Sequence, residues 1–115
     1  MKTELEGRTL EFAVRLIAFV GAFPRTDAAV IVGRQLLRSG TSVGANCREA
    51  NRAESGDDFI HKTGLVQKEA AETDYGLEIC SRSGIGERSE TVALAREARE
   101  LLAIFTTINR KAKHR

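Results

Sequence analysis

Residues Asp57–Cys80 read DDFIHKTGLVQKEAAETDYGLEIC, and within them Phe59, Thr63, Val66, Ala70, Thr73, Leu77 and Cys80 recur at steps of four and three. Three heptads of that spacing put one row of apolar and small side chains on one helix face. Ser55-Gly56-Asp57-Asp58 ahead of the row is an acidic variant of the capping box, and Gly84-Ile85-Gly86 behind it supplies a turn. The spacing predicts a helix over about 57–82. No other signal in the chain is as strong.

Leu94, Ala98, Leu101, Phe105, Ile108 and Ala112 repeat the same step, which predicts a helix over about 89–112 opened by Ser89. Its last turn holds Lys and Arg, which suit the negative end of the helix dipole. Upstream, two stripes share one segment: Leu10, Ala13, Ile17 and Val20 form the first, Phe12, Leu16, Phe19 and Phe23 the second. That predicts a helix over about 8–22, apolar around much of its circumference and stopped by Pro24. One stripe suffices to close a bundle. The phenylalanine stripe, Phe12, Leu16, Phe19 and Phe23, is therefore assigned to contacts between subunits.

Between these lies a segment from about 27 to 53, with Asp27 as its N-cap and Leu36, Gly40, Val43, Cys47 and Ala50 as its buried edge. Ser39-Gly40-Thr41-Ser42-Val43-Gly44 forms helix poorly, since each glycine costs about 1 kcal/mol against alanine. Propensity leaves a break open there. The alternative is that Gly40 and Gly44 let another backbone approach closely. Four helices with short connections predict an all-α fold, an antiparallel up-down-up-down four-helix bundle, in a single domain spanning residues 1–115.

Composition agrees. Of 115 residues, 42% are hydrophobic and 30% charged, with one Pro and no Trp, which excludes disordered, collagenous and disulfide-scaffold classes. Cys47 and Cys80 form no C-x-x-C pair and fall on apolar stripes, so they read as buried free thiols. Leu16–Phe23 is about half a membrane span and is flanked by charges, so no membrane partner and a cytoplasmic location are expected.

The chain lacks the motifs of catalysis. It has no phosphate-cradling glycine loop, zincin motif or nucleophile elbow. A di-iron bundle needs two Glu-x-x-His motifs, whereas His61 stands alone on a helix and His114 sits in the tail. No cofactor, no metal and no enzymatic activity are expected. Charge is more informative. Eighteen Lys and Arg nearly balance sixteen Asp and Glu, yet residues 28–53 carry four Arg and one Glu, and residues 109–115 carry four cations and no acid. Residues 81–108 sum to zero. At about 100° per residue, Arg34, Arg38, Arg48 and Arg52 fall within roughly 40° of one line, opposite the buried edge and about 27 Å long. Arginine favours bidentate contact with phosphate or carboxylate. Three readings stay open: a solvated face with Glu49 near Arg48 or Arg52, a subunit interface with Arg–Glu pairs, or a nucleic-acid surface.

Residues 34–52, RQLLRSGTSVGANCREANR, carry Gln35, Leu36, Arg38, Ser39, Ser42, Asn46 and Glu49 in a Q-L-x-R-S-x-x-S-x-x-x-N-x-x-E pattern. This resembles the signature of the four-helix-bundle family of proteins encoded in 23S ribosomal-RNA intervening sequences. Phe59, Lys68, Glu69, Glu72 and Tyr75 are similarly in place for that family's third helix. Ala50 departs from the glycine many members have, and Gly76 from a bulky aromatic; both concern packing. The resemblance implies an antiparallel bundle, assembly with itself as a homopentamer, and no established enzymatic role. One related branch comprises the accessory proteins of diversity-generating retroelements, which bind a reverse transcriptase and nucleic acid through a basic surface.

The expected function is a non-enzymatic oligomeric scaffold whose partners are copies of itself, RNA or DNA, and a reverse transcriptase or other protein. Arg34, Arg38, Arg48, Arg52, Arg110, Lys111, Lys113 and Arg115 are its candidate nucleic-acid residues. The alternative is a protein-only interaction module in which the arginines line a subunit interface.

Overall fold

A computed structural model of the chain describes residues 2–114. Four helices follow one another: α1 (Lys2–Gly21), α2 (Asp27–Asn51), α3 (Gly56–Ser83) and α4 (Arg88–Lys113). They form an antiparallel bundle of 47 × 22 × 20 Å, all-α as the periodicity predicts. Each helix packs on its neighbours in sequence and α4 closes back on α1, so α2 and α4 occupy diagonal corners.

The helix ends follow local chemistry. Thr26, one residue before the expected Asp27, caps α2 by accepting from the Ala29 amide. Ser55 caps α3 by accepting from the Asp58 amide. Gly84 closes α3 in the left-handed conformation, at φ 77°, with its N–H on the Cys80 carbonyl. At α4 the cap is Glu87 rather than Ser89, because the Glu87 carboxylate reaches the amides of both Ser89 and Glu90. Those hydrogen bonds hold its carboxyl below the usual range.

The rows of α3 and α4 meet in the core, where Val66, Ala70, Leu77, Leu94, Leu101 and Phe105 are buried. Asn109 is buried beside them and ties α4 to α3, donating to the Ile60 carbonyl at 2.8 Å and Thr63 Oγ1 at 2.9 Å. α2 runs unbroken through Ser39–Gly44. The reason is α1: a Cβ at Gly40 would collide with Leu16, and one at Gly44 would stand 3.2 Å from Thr9 Oγ1.

Of the two stripes of α1, the one expected to face outward is the one that is buried. Phe12, Leu16 and Phe19 are buried inside the subunit and Phe23 packs half-buried against the same core, so these four residues are not an exposed surface for another subunit. The stripe extends back through Thr9 and Leu5 in the same 4-3 register, because α1 starts at Lys2, six residues before the expected boundary. Three phenylalanines make this the richer apolar face, and burying it removes more area from water. Leu10, Val14 and Ile17 of the other side remain 52%, 52% and 53% exposed.

Candidate nucleic-acid interface

The outer face of α2 carries Arg34, Arg38, Arg48 and Arg52, all exposed. They are not equivalent. Arg38 Nη2 donates to Glu72 Oε2 at 2.6 Å, and its Nη1 stands 3.5 Å from Glu69 Oε1, both on α3. The hydrogen bond raises the Arg38 pKa and lowers that of Glu72. Arg38 is thus a strut of the α2–α3 seam. Arg34, Arg48 and Arg52 form no ion pair among the described residues. Glu49, the expected neighbour of Arg48 and Arg52, instead accepts from Lys62 Nζ on α3 at 2.6 Å.

Much of the sequence pattern around α2 is thereby explained by the α2–α3 seam. Ser39 Oγ accepts from Thr73 Oγ1 at 2.8 Å in the interior, whereas Asn46 Nδ2 bonds within α2, donating to the Ser42 carbonyl at 2.9 Å. Gln35, Arg38, Glu72, Tyr75 and Gly76 line a shallow hollow of about 330 Å³ over this seam.

The second group expected on the site, Arg110, Lys111 and Lys113, is exposed in the last turn of α4; Arg115 lies outside the described residues. Lys111 and Lys113 border a cleft of about 630 Å³ floored by Phe59, Ile60 and Ile108 at the end of the bundle. The structure does not merge this group with the α2 stripe, since α2 and α4 are diagonal and share no contact. There are two basic surfaces.

Reading net charge by segment missed Arg82, Arg88, Arg96 and Arg99, whose stretch sums to zero. In the fold that balance is sided. Arg8 of α1 reaches Glu97 at 2.7 Å and Glu100 at 3.0 Å, and Arg15 reaches Glu90 at 2.8 Å, so these acids of α4 sit at the α1 seam. A helical wheel of α4, the device that found the α2 stripe, separates the same acids from the arginines.

Cys47 and Cys80 are free and buried. Among the described residues no three His, Cys, Asp or Glu side chains gather closely enough to hold a metal ion. No described helix is long and apolar enough to cross a membrane.

The features define a class first: an antiparallel four-helix bundle whose carboxylates largely face its seams and helix caps while many of its arginines look outward. The family model described as 23S rRNA-intervening sequence protein matches residues 2–107. The chain belongs to that family. It is also similar to a crystal structure of a protein with unknown function from the S23 ribosomal protein family of Bacteroides thetaiotaomicron. That likeness has 35% identity and a TM-score of 0.86, and covers 96% of this chain and 99% of the other. No curated protein matches the chain.

Proposed function

We propose that the protein is a non-enzymatic helical scaffold that assembles with itself and binds nucleic acid, alone or within a nucleoprotein, through its basic surface. The observation that carries this reading is the sidedness of charge. Glu49, Glu69, Glu72, Asp74, Glu90, Glu97 and Glu100 pair across the seams, while Arg34, Arg48, Arg52, Arg88, Arg96, Arg110, Lys111 and Lys113 are exposed with no carboxylate partner among the described residues. Glu4, Glu11, Asp27, Glu54 and Asp57 are exposed as well, so the excess of outward cations is local to the outer faces of α2 and α4, where it forms the pattern that attracts a polyanion.

Self-assembly is supported by the exposed row Leu10, Val14 and Ile17, an apolar strip that favours cover. The resemblance favours five copies, and a ring multiplies each basic patch into an avid surface. The experiment is light scattering on the purified protein together with RNA and DNA binding across a salt series. The reading expects an oligomer and an affinity that falls steeply with salt. A 12.6 kDa monomer that ignores nucleic acid at low salt ends it.

A second reading of the α2 arginines has its own support. The contacts of Gly33 with Val20, Gly40 with Leu16 and Gly44 with Thr9 set the α1–α2 register. In that register Arg34 and Arg48 stand near opposite ends of the Leu10–Ile17 row. Cations at the rim of an apolar strip are the usual anatomy of a protein interface. On this reading Arg34→Gln with Arg48→Gln weakens the oligomer and leaves the intrinsic affinity of each subunit for nucleic acid unchanged.

A further inference from the structure

The outer face of α4 holds a longer row of cations than α2 does. Arg88, Arg96, Arg99, Arg110 and Lys113 fall within an arc of about 100° at 100° per residue, and extend roughly 37 Å at 1.5 Å per residue. All five are exposed, and among the described residues only Arg99 meets a carboxylate, Asp74 Oδ1 at 3.1 Å. The helix's own acids are engaged elsewhere. Glu90, Glu97 and Glu100 pair with α1, and Glu87 accepts the first amides of α4. Beside the upper half of the row, two hollows of about 410 and 550 Å³ share Ser81, Arg82, Thr91 and Val92 and form one groove between α3 and α4. Arg82, Arg88, Arg96 and Arg99 border it. Arg82 has a partner, Glu78 at 3.4 Å, but both are largely in water, where such a pair holds weakly.

We infer that this α4 ridge, with the groove beside it, is the track along which a nucleic-acid phosphate backbone lies; the inference rests on the nucleic-acid reading above. Guanidinium forks match phosphate oxygens in pairs. A protein partner fits less well, because protein interfaces centre on apolar area and the ridge has only Val92, Ala103 and Thr106 between its cations. The apolar row that a protein contact needs is on α1, beside the α2 arginines. No aromatic side chain lies on the ridge, so contact is with phosphates and depends little on sequence.

The test compares two sets of exposed, unpaired arginines on opposite corners of the bundle. Arg88→Gln, Arg96→Gln and Arg110→Gln are combined in one variant, and Arg34→Gln with Arg48→Gln in another. Binding to a single-stranded RNA and to a DNA duplex, each of about 30 units, is followed by fluorescence anisotropy against salt, with light scattering as the check on assembly. Each phosphate contact contributes roughly 0.7–0.9 to the slope of log affinity on log salt, so losing three lowers it by about 2–3 and weakens binding about a hundredfold or more near 0.1 M salt. The ridge variant shows that loss with its oligomer intact. The inference is overturned if the ridge variant binds as the parent does while the α2 variant carries the loss, a result that leaves nucleic-acid binding itself standing. Equal competition by poly-glutamate overturns it too, by assigning the ridge to an acidic protein. A parent protein that binds neither probe at low salt removes the proposed function along with the track.

Discussion

Helix α1 is held on its two sides by different physics. Against α2 it is fitted by shape: Val20, Leu16 and Thr9 lie over Gly33, Gly40 and Gly44, with Leu16 fully buried. Against α4 it stands farther off, and beside the shared apolar core the seam is lined by ion pairs, Arg8 on Glu97 and Glu100 and Arg15 on Glu90. A close-packed seam tolerates little change in volume, whereas an ion-paired seam at the surface responds to salt. The difference matters for function because α1 carries the exposed Leu10–Ile17 row, and the same ion pairs hold the acids of α4 away from its basic ridge. One helix therefore organises both proposed surfaces.

The largest effect that separates the seams is expected at Leu16. Leu16→Ala empties a fully buried site, and such truncations cost about 2–5 kcal/mol. Gly40→Ala drives a methyl into Leu16 and costs about 1–3 kcal/mol by overpacking, less the roughly 1 kcal/mol alanine returns in helix propensity. Combined, the two changes are expected to be less damaging than their sum, since the new methyl enters the vacated space. Urea denaturation of the four proteins measures this. Strict additivity would show that shape does not hold α1 on α2.

Alkali sharpens the contrast. Burial raises the Cys47 thiol, which sits near Thr9 in the α1–α2 seam, and pushes Cys80 on α3 up to about 11 from the usual 9.0. A thiol that ionises more readily in the unfolded chain gives stability that is full below pH 9 and declines as pH climbs towards 11. For Cys80 the decline is of order 2 kcal/mol. The ion-paired seam does not yield in this range, because hydrogen bonds with Glu97 and Glu90 raise Arg8 and Arg15 above the usual arginine value. Denaturation between pH 8 and 11 should show the decline, and Cys80→Ala should flatten most of it. A decline of the same size in that variant would assign the loss to another group.

On the charged seam the expected effect is smaller. Arg8→Gln removes a two-toothed contact with Glu97 whose partners are partly shielded, which costs about 1 kcal/mol in low salt and less in 1 M salt. Hydrogen exchange in α1 should rise with it. A loss as large as that of Leu16→Ala, unchanged by salt, would make both seams alike.

How legible this was depended on the range of each contact. The α3 row could be read from spacing alone, and Gly40 and Gly44 announced a close neighbour although not which helix. α1 misled because two stripes of similar spacing compete, and periodicity cannot rank them. The deciding partners, Gly40 for Leu16 and Glu97 for Arg8, lie 24 and 89 residues away. At the candidate site the exposed arginines of α2 were visible in the helical wheel. The pairing of Arg38 with Glu72 was not, since it crosses from one helix to the next. Three of the five ridge cations, Arg88, Arg96 and Arg99, were hidden in residues 81–108, whose charges sum to zero, a figure that reports how many charges a stretch has and not which way they face.

The smallest expected effect is a gain, and it bounds what glycine does in the α1–α2 seam. Gly7 lies within α1, exposed, with nothing within 4 Å of a Cβ placed there. Gly7→Ala therefore meets no neighbour and keeps only the benefit of a stiffer unfolded chain and a better helix former, about 0.5–1 kcal/mol of added stability. Gly40→Ala receives the same intrinsic benefit and is expected to lose stability regardless, so the difference between the two substitutions measures the Leu16 clash alone. Thermal melts of both variants in one buffer suffice. Were Gly7→Ala also destabilising, its position would be covered, and the α1 surface around it would belong to a contact between subunits.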